Sequence, residues 1–232
     1  MKRRGALTPA ALREMRMSMG LLVTNIPMTL VMGAVWGGIY VSAHYFAWLR
    51  IETNALTIVL AFLAADLSYY WEHRCAHRVP WLWRTYHAQH HSSAAYTIAT
   101  AYRVSFVNQF LAPAFYIPWI LLGFSPVLMI GFALVCFHYQ AWVHTEMIGR
   151  LGILDRIVNT PANHRMHHST TPEHHDRNFG AVLLVWDRIF DSYAEPGTVA
   201  GYGIAGEVPP ATAWEVYTGP WRSTWRKTRE HA

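Results

Sequence analysis

Residues 104–145 read VSFVNQFLAPAFYIPWILLGFSPVLMIGFALVCFHYQAWVHT, without one Asp, Glu, Lys or Arg. A bilayer core of about 30 Å is crossed by about 20 apolar residues in a helix. The stretch is therefore long enough to cross twice, with its turn at Gly123-Phe124-Ser125-Pro126. Pro113 and Pro118 predict kinks in the first arm. Residues 21–49 are also free of charged side chains and predict one span, with Pro27 and Gly37-Gly38 as points of bending. Residues 55–71 predict another, carrying the ionisable Asp66. The chain of 232 residues is 53% hydrophobic and only 14% charged, which excludes disorder for most of it. Cys75 and Cys136 give no disulfide framework. The first apolar stretch is too long for a cleaved signal peptide and lacks a clear cleavage site.

The expected fold is an all-α membrane protein with about four transmembrane helices and a cytoplasmic, histidine-rich helical cap. The net charge of +5 is then a matter of topology. Four spans place the N-terminus, residues 72–103 and residues 145–232 on one side. Eighteen of the 19 Lys and Arg fall there, with Arg50 opposite, which is the cytoplasmic assignment. Nucleic acid is not the expected partner. The expected divisions are a basic lead-in (1–20), a membrane-embedded domain (21–205) and an aromatic, basic tail (206–232). With Trp214, Trp221 and Trp225 between Arg222, Arg226 and Lys227, the tail reads as an interfacial segment or as a cap over the site.

Twelve of the 14 histidines lie between His73 and His175. Three clusters stand out: His73-Arg-Cys-Ala-His77, His87-Ala-Gln-His90-His91 and His164-Arg-Met-His167-His168. Helical positions i, i+3 and i+4 are neighbours, so each cluster is expected to aim its imidazoles at one point. Eight imidazoles exceed the needs of one ion and suit a pair of metals. His144, after the last span, is a ninth candidate. Imidazole suits several metals, but clusters at the membrane ends of spans favour iron, which activates oxygen against C–H bonds of an apolar substrate. Carboxylates are expected behind metal-bound histidines, and Asp66, Glu72, Glu146, Asp176 and Asp187 lie near enough. Asp66 reads equally well as the partner of an arginine at the membrane edge.

These residues resemble a known family. Asp66-Leu-Ser-Tyr-Tyr-Trp-Glu-His73-Arg-Cys-Ala-His77 resembles the opening motif of the fatty acid hydroxylase superfamily, also called the sterol desaturase family. Leu82-Trp83-Arg84 with His87-Ala-Gln-His90-His91-Ser92 resembles the second motif, and Asn159-Thr-Pro161-Ala-Asn-His164-Arg-Met-His167-His168 the third. Asp176-Arg-Asn178-Phe-Gly180, Trp186-Asp187-Arg-Ile-Phe190 and Tyr202-Gly203-Ile204 resemble the closing segments. The likeness spans roughly residues 60–205. Trp142-Val143-His144-Thr145-Glu146 is most similar to the branch that includes alkylglycerol monooxygenase. One departure is Phe190-Asp191-Ser192, where the family has Phe-Gly-Thr after Trp-Asp.

The resemblance implies a membrane-bound non-haem di-iron oxygenase that hydroxylates or desaturates a lipid with O2. It implies two iron ions and an external electron donor, such as cytochrome b5, a ferredoxin or a pterin. The chain has no Gly-rich flavin or nicotinamide fingerprint. A bacterial inner membrane or the endoplasmic reticulum, with the histidines facing the cytoplasm, is the expected setting. A transition-metal transporter or sensor is the competing class, and depth separates the two, since transporter sites lie near the bilayer midplane.

Overall fold

The computed structural model describes residues 8–220, and among these it is all-helical, without a strand. Lys2, Arg3 and Arg4 of the lead-in, and the tail residues Trp221, Arg222, Trp225, Arg226 and Lys227, lie outside the described residues.

Helix α1 runs Pro9–Tyr45 without interruption. It begins where Thr8 accepts the Ala11 N–H at 3.1 Å, with Pro9 at the first helical position. From Pro9 onward the basic lead-in and the first span are thus one helix, and Pro27 and Gly37-Gly38 do not break it. Helix α2, Ala55–Arg78, starts from a reciprocal cap. Asn54 Oδ1 accepts the Thr57 N–H at 3.0 Å, and Thr57 Oγ1 accepts the Asn54 N–H at 2.8 Å. A wide π turn, Trp83–His87, leads into α3, Ala88–His91.

The arm expected as a third straight span is broken into α4 (Asn108–Leu111), a tight turn (Ala112–Tyr116) and α5 (Ile117–Leu122). Pro113 and Pro118 lack the N–H that a continuous helix needs. The arm still runs alongside α1, from Asn25 onward, in the same direction. Asn25 Nδ2 bonds the Val104 carbonyl, Trp36 Nε1 that of Gln109, and Tyr40 Oη that of Pro113. The Trp48 N–H then reaches the Leu121 carbonyl. Among the described residues three uninterrupted helices are long and apolar enough to cross a membrane, and the segmented arm is not one of them.

Gly123 turns the chain with φ +126°, and a Cβ there would fall 2.5 Å from the Leu49 carbonyl oxygen. Helix α6, Pro126–Val143, returns toward the histidines and packs on α2. Tyr40, Ala61, Ala64, Ala65, Tyr116, Ile120 and Met129 form the core. Small residues on α2 allow the close approach. Val31 and Val41 on α1, Leu56 and Val59 on α2, and Val127 and Val135 on α6 face outward, the pattern of a bundle solvated by lipid.

Both ends of the bundle are distinct. The start of α1, the end of α2 and the end of α6 gather at the histidine end. A cap of short turns, with α7 (Pro161–His167) and α8 (Val185–Ile189), closes it. The described part of the tail packs back onto α1: Val216 is buried and Tyr217 Oη donates to Asn25 Oδ1. Trp214 is exposed.

Candidate metal centre

All nine candidate histidines come together, in two adjoining groups. His73, His77, His87, His91 and His167 form the first; His90, His144, His164 and His168 form the second. Within each group the ligand-capable nitrogens all lie within 4.8 Å of one another. The groups touch where His91 stacks on His168, ring centroids 4.1 Å apart, and where His164 stacks on His167 at 5.1 Å. His44 and His138 join neither group; His138 is exposed and bonds the Leu134 carbonyl. His174 and His175 also stay outside.

The second and third motifs do not each converge on one point, as their spacing suggested. His87 and His91 go to the first group and His90 to the second. His164 and His168 go to the second group and His167 to the first. Helical residues four apart point about 40° apart, whereas the residue at i+3 points about 60° to the other side. Each motif is therefore a pair plus a single imidazole aimed at the neighbouring group. His73 and His77, four apart on α2, share one group.

The hydrogen bonds decide what the facing nitrogens can do. His73 Nδ1 meets the Phe179 carbonyl at 2.9 Å, His144 Nδ1 that of Gln140 at 2.5 Å, and His167 Nδ1 that of Arg177 at 2.8 Å. A carbonyl only accepts, so each Nδ1 carries the proton and each Nε2 presents a lone pair. His144 Nε2 lies 3.1 Å from His164 Nε2 and 3.2 Å from both His90 Nε2 and His168 Nε2. One lone pair cannot satisfy three such neighbours. In the first group His73 Nε2 is 3.1 Å from His87 Nε2, while the buried Nε2 atoms of His77, His91 and His167 have no partner among the described residues. Two imidazoles each about 2.1 Å from one ion stand about 2.9–3.4 Å apart. Both groups fit a cation in spacing and in protonation.

Burial drives the neutral state. It pushes His87, His90, His91, His164 and His168 well below the ordinary histidine value, and neighbouring imidazoles push further. His144 falls to about 3 and His167 to about 4, burial outweighing the stabilising carbonyls. Above the ordinary value near 6.5 these rings are neutral folded or unfolded, so they leave stability unchanged. Below it the unfolded chain takes up protons that the folded chain refuses, so stability falls as the pH falls. The metal-free protein is thus expected to melt at progressively lower temperature between pH 7 and pH 4. A flat melting profile over that range contradicts this.

The carboxylates behave differently from expectation. Only Asp176 approaches a grouped histidine, 3.8 Å from His77 Nδ1 and 3.4 Å from Arg78 Nε. Asp66 touches neither a histidine nor an arginine. It accepts the backbone N–H of Val182 and Leu183 and the Trp186 indole N–H, at 2.9, 3.3 and 2.8 Å, and so ties α2 to the cap. Glu72 accepts from Tyr86 and Asn108. Glu146 accepts from Tyr202 Oη at 3.0 Å; that ring stacks on Tyr96, which stacks on His144. Backbone carbonyls take the role foreseen for carboxylates: those of Phe179 and Arg177 in the cap and that of Gln140 one turn back on α6.

Asp187 acts one step removed. It accepts from the N–H groups of Phe179 and Gly180, and the Phe179 carbonyl holds His73. Ser192 Oγ donates to Asp187 at 2.7 Å, and Asp191 adopts the left-handed φ of +54° at the position where the family pattern has glycine. The departure at 190–192 therefore leaves the turn intact.

A cavity of about 410 Å³ runs from the flank of α1 to the histidines, within the range of ligand pockets. Leu22, Met32, Trp36, Ile130, Leu134 and Phe137 line its length, and His87, His90 and His144 its inner end. The sequence reading missed two residues packed beside the histidine motifs. Tyr96 packs over His144 with its hydroxyl on the Val143 carbonyl. Arg103, fully buried, donates to Glu14 Oε2 at 2.6 Å and to Ser92 Oγ at 3.0 Å, beside the second motif.

A family model described as fatty acid hydroxylase matches residues 58–192, more than half of the chain and the whole stretch that holds both histidine groups. The chain belongs to the fatty acid hydroxylase family. The chain is similar to the alkylglycerol monooxygenase of Danio rerio, 37% identical over 196 residues, covering 79% of this chain and 43% of the relative. The human alkylglycerol monooxygenase is 39% identical over 170 residues, covering 72% and 37%. An ornithine lipid hydroxylase of Rhizobium tropici is 31% identical over 170 residues, covering 72% and 51%. The chain thus spans under half the length of the alkylglycerol monooxygenases it matches. No solved structure matches it significantly.

Proposed function

We propose that the protein is a membrane-bound di-iron oxygenase that hydroxylates an unactivated C–H bond of a lipid, using O2 and electrons from an external donor. The observation that carries this reading is the placement of two lone-pair-bearing histidine groups at the inner end of an apolar cavity. His73, His77, His87, His91 and His167 would hold one ion and His90, His144, His164 and His168 the other. Bound iron would supply the activation of O2.

The chain's own residues do the rest. The carbonyls of Phe179, Gln140 and Arg177 fix the ring orientations. The apolar wall takes up the lipid chain from the bilayer side and keeps bulk water from the oxidised carbon. Relatives named for alkylglycerol and ornithine lipid oxidation support a lipid substrate. Desaturation begins from the same hydrogen removal and is the second reading. The histidines gather at one end of the helices, which favours an enzyme over a transporter. The surplus of basic residues on that end supports a cytoplasmic site, open to cytochrome b5, a ferredoxin or a pterin.

Purified protein expressed with iron available is expected to carry about two iron ions per chain. With a reductant and a lipid extract it should yield products heavier by one oxygen atom. Chelation should remove both the metal and the activity, and ferrous iron should restore them. Stoichiometric zinc without iron would count against the reading, and products lighter by two hydrogens would favour the desaturase.

A further inference from the structure

The cavity wall carries one carboxyl group, that of Glu72, which neither the metal groups nor the folding of the cap consumes. Glu72 is 7% exposed and stands on α2 directly before His73. Its Oε1 accepts the Tyr86 hydroxyl at 2.9 Å and the Asn108 amide at 3.3 Å, and both donors also line the cavity. Its Oε2 has no protein partner among the described residues. No lysine or arginine lines the cavity to neutralise it. Across the same chamber Gln140, one turn before His144, donates its amide to the Ala181 carbonyl. Its Oε1 is buried without a partner.

A polar group held in an apolar chamber is unfavourable unless it is hydrogen-bonded. A purely structural brace needs only the oxygen that Tyr86 and Asn108 engage. The second oxygen is left for whatever fills the chamber. The rest of the wall suits a hydrocarbon chain. The occupant that satisfies both parts has an apolar body and one polar group, placed at the end where His87, His90 and His144 stand. A hydroxyl fits a carboxyl group whether or not the latter is protonated, because it both donates and accepts.

We propose that Glu72 is a specificity-determining residue whose free carboxyl oxygen receives a hydroxyl group of the lipid, so that the substrate is a hydroxyl-bearing lipid and not a plain hydrocarbon chain. This rests on the reading of the cavity as the substrate chamber. Glu72 positions the lipid beside the histidines, and Tyr86 and Asn108 aim Glu72.

The test is equilibrium competition against tritiated 1-hexadecanol on the detergent-solubilised full chain. The competitors are 1-hexadecanol and heptadecane, in which a methyl group replaces the hydroxyl. The native protein is expected to prefer the alcohol by about 10-fold or more, since a site built to bond a hydroxyl rejects the analogue that lacks it. Glu72→Leu should abolish the preference. Glu72→Gln should retain most of it, because the amide still bonds a hydroxyl. Equal binding of the two lipids by the native protein, or an unchanged preference in Glu72→Leu, overturns the proposal.

Should Glu72→Leu fail to fold, infrared difference spectra decide. A carboxyl band that shifts with 1-hexadecanol but not with heptadecane, and is missing from Glu72→Gln, supports the proposal; no such band overturns it. Both measurements read binding without turnover. Selective binding by a protein that forms no oxygenated product keeps the anchor and removes the oxygenase. Turnover without hydroxyl preference does the reverse.

Discussion

A His144→Ala variant is expected to keep roughly half of the bound metal and to lose activity by about 1,000-fold or more, because the second group would lose its central ligand. His144 is the hub of that group. Its Nε2 lies within 3.2 Å of the Nε2 atoms of His90, His164 and His168. Its ring cannot turn away, since Nδ1 is bound to the Gln140 carbonyl one turn back on α6 and Tyr96 stacks on its face. The five histidines of the first group keep their own contacts, so about one ion should remain. His138→Ala is the control: it lies on the same stretch, faces outward and bonds only the Leu134 carbonyl. Metal analysis beside a product assay reads both variants. Full metal content in His144→Ala would remove this residue from the ligand set.

The second large effect is one of stability. Glu14→Leu is expected to destabilise the fold by about 3–5 kcal/mol, the usual cost of leaving a buried charge without its partner. Arg103 is fully buried and Glu14 nearly so. Their ion pair at 2.6 Å joins the start of α1 to the segment after the second motif, with Ser93 Oγ also donating to Glu14. Removing Glu14 leaves the buried guanidinium without a counter-charge, with Ser92 Oγ as its remaining side-chain partner. The double variant Glu14→Leu/Arg103→Met removes both charges and should recover most of the loss, because a buried pair often stabilises no more than well-packed apolar residues of similar size. Thermal melting in detergent distinguishes the two. A single variant as stable as the parent, or a double variant as damaged as the single, refutes the account.

Glu14 shows what sequence hides. By position it is the one acid in a basic lead-in, and nothing nearby marks it as buried. Its partner lies 89 residues away, a pairing that only the fold creates. The membrane character and the ligand-capable residues were legible because both are local signals: charge-free stretches long enough to span, and histidines repeating at helical spacing. The partition of the histidines was not. It depends on the i+3 residue of each motif facing the other group, and on the π turn that sets the angle of α3. The segmented arm was half legible, since Pro113 and Pro118 announced kinks but not the run alongside α1. The carboxylates misled because short distance along the chain suggested support for histidines that main-chain carbonyls provide instead.

The depth of the cavity has a consequence for how long a molecule it admits. Gly33 and Gly37 of α1 sit on its wall, four residues apart on one face, and a Cβ at either would meet nothing within 4 Å. These positions need no glycine for backbone reasons, since both lie in regular helix. The missing side chains are the room itself. Side chains as large as leucine at these two sites would occupy the passage while leaving the helix and the histidines in place, and would shorten the longest chain that fits. If the cavity is the substrate chamber proposed above, two residues in the first helix, remote from every candidate ligand in sequence, would act as a ruler for chain length.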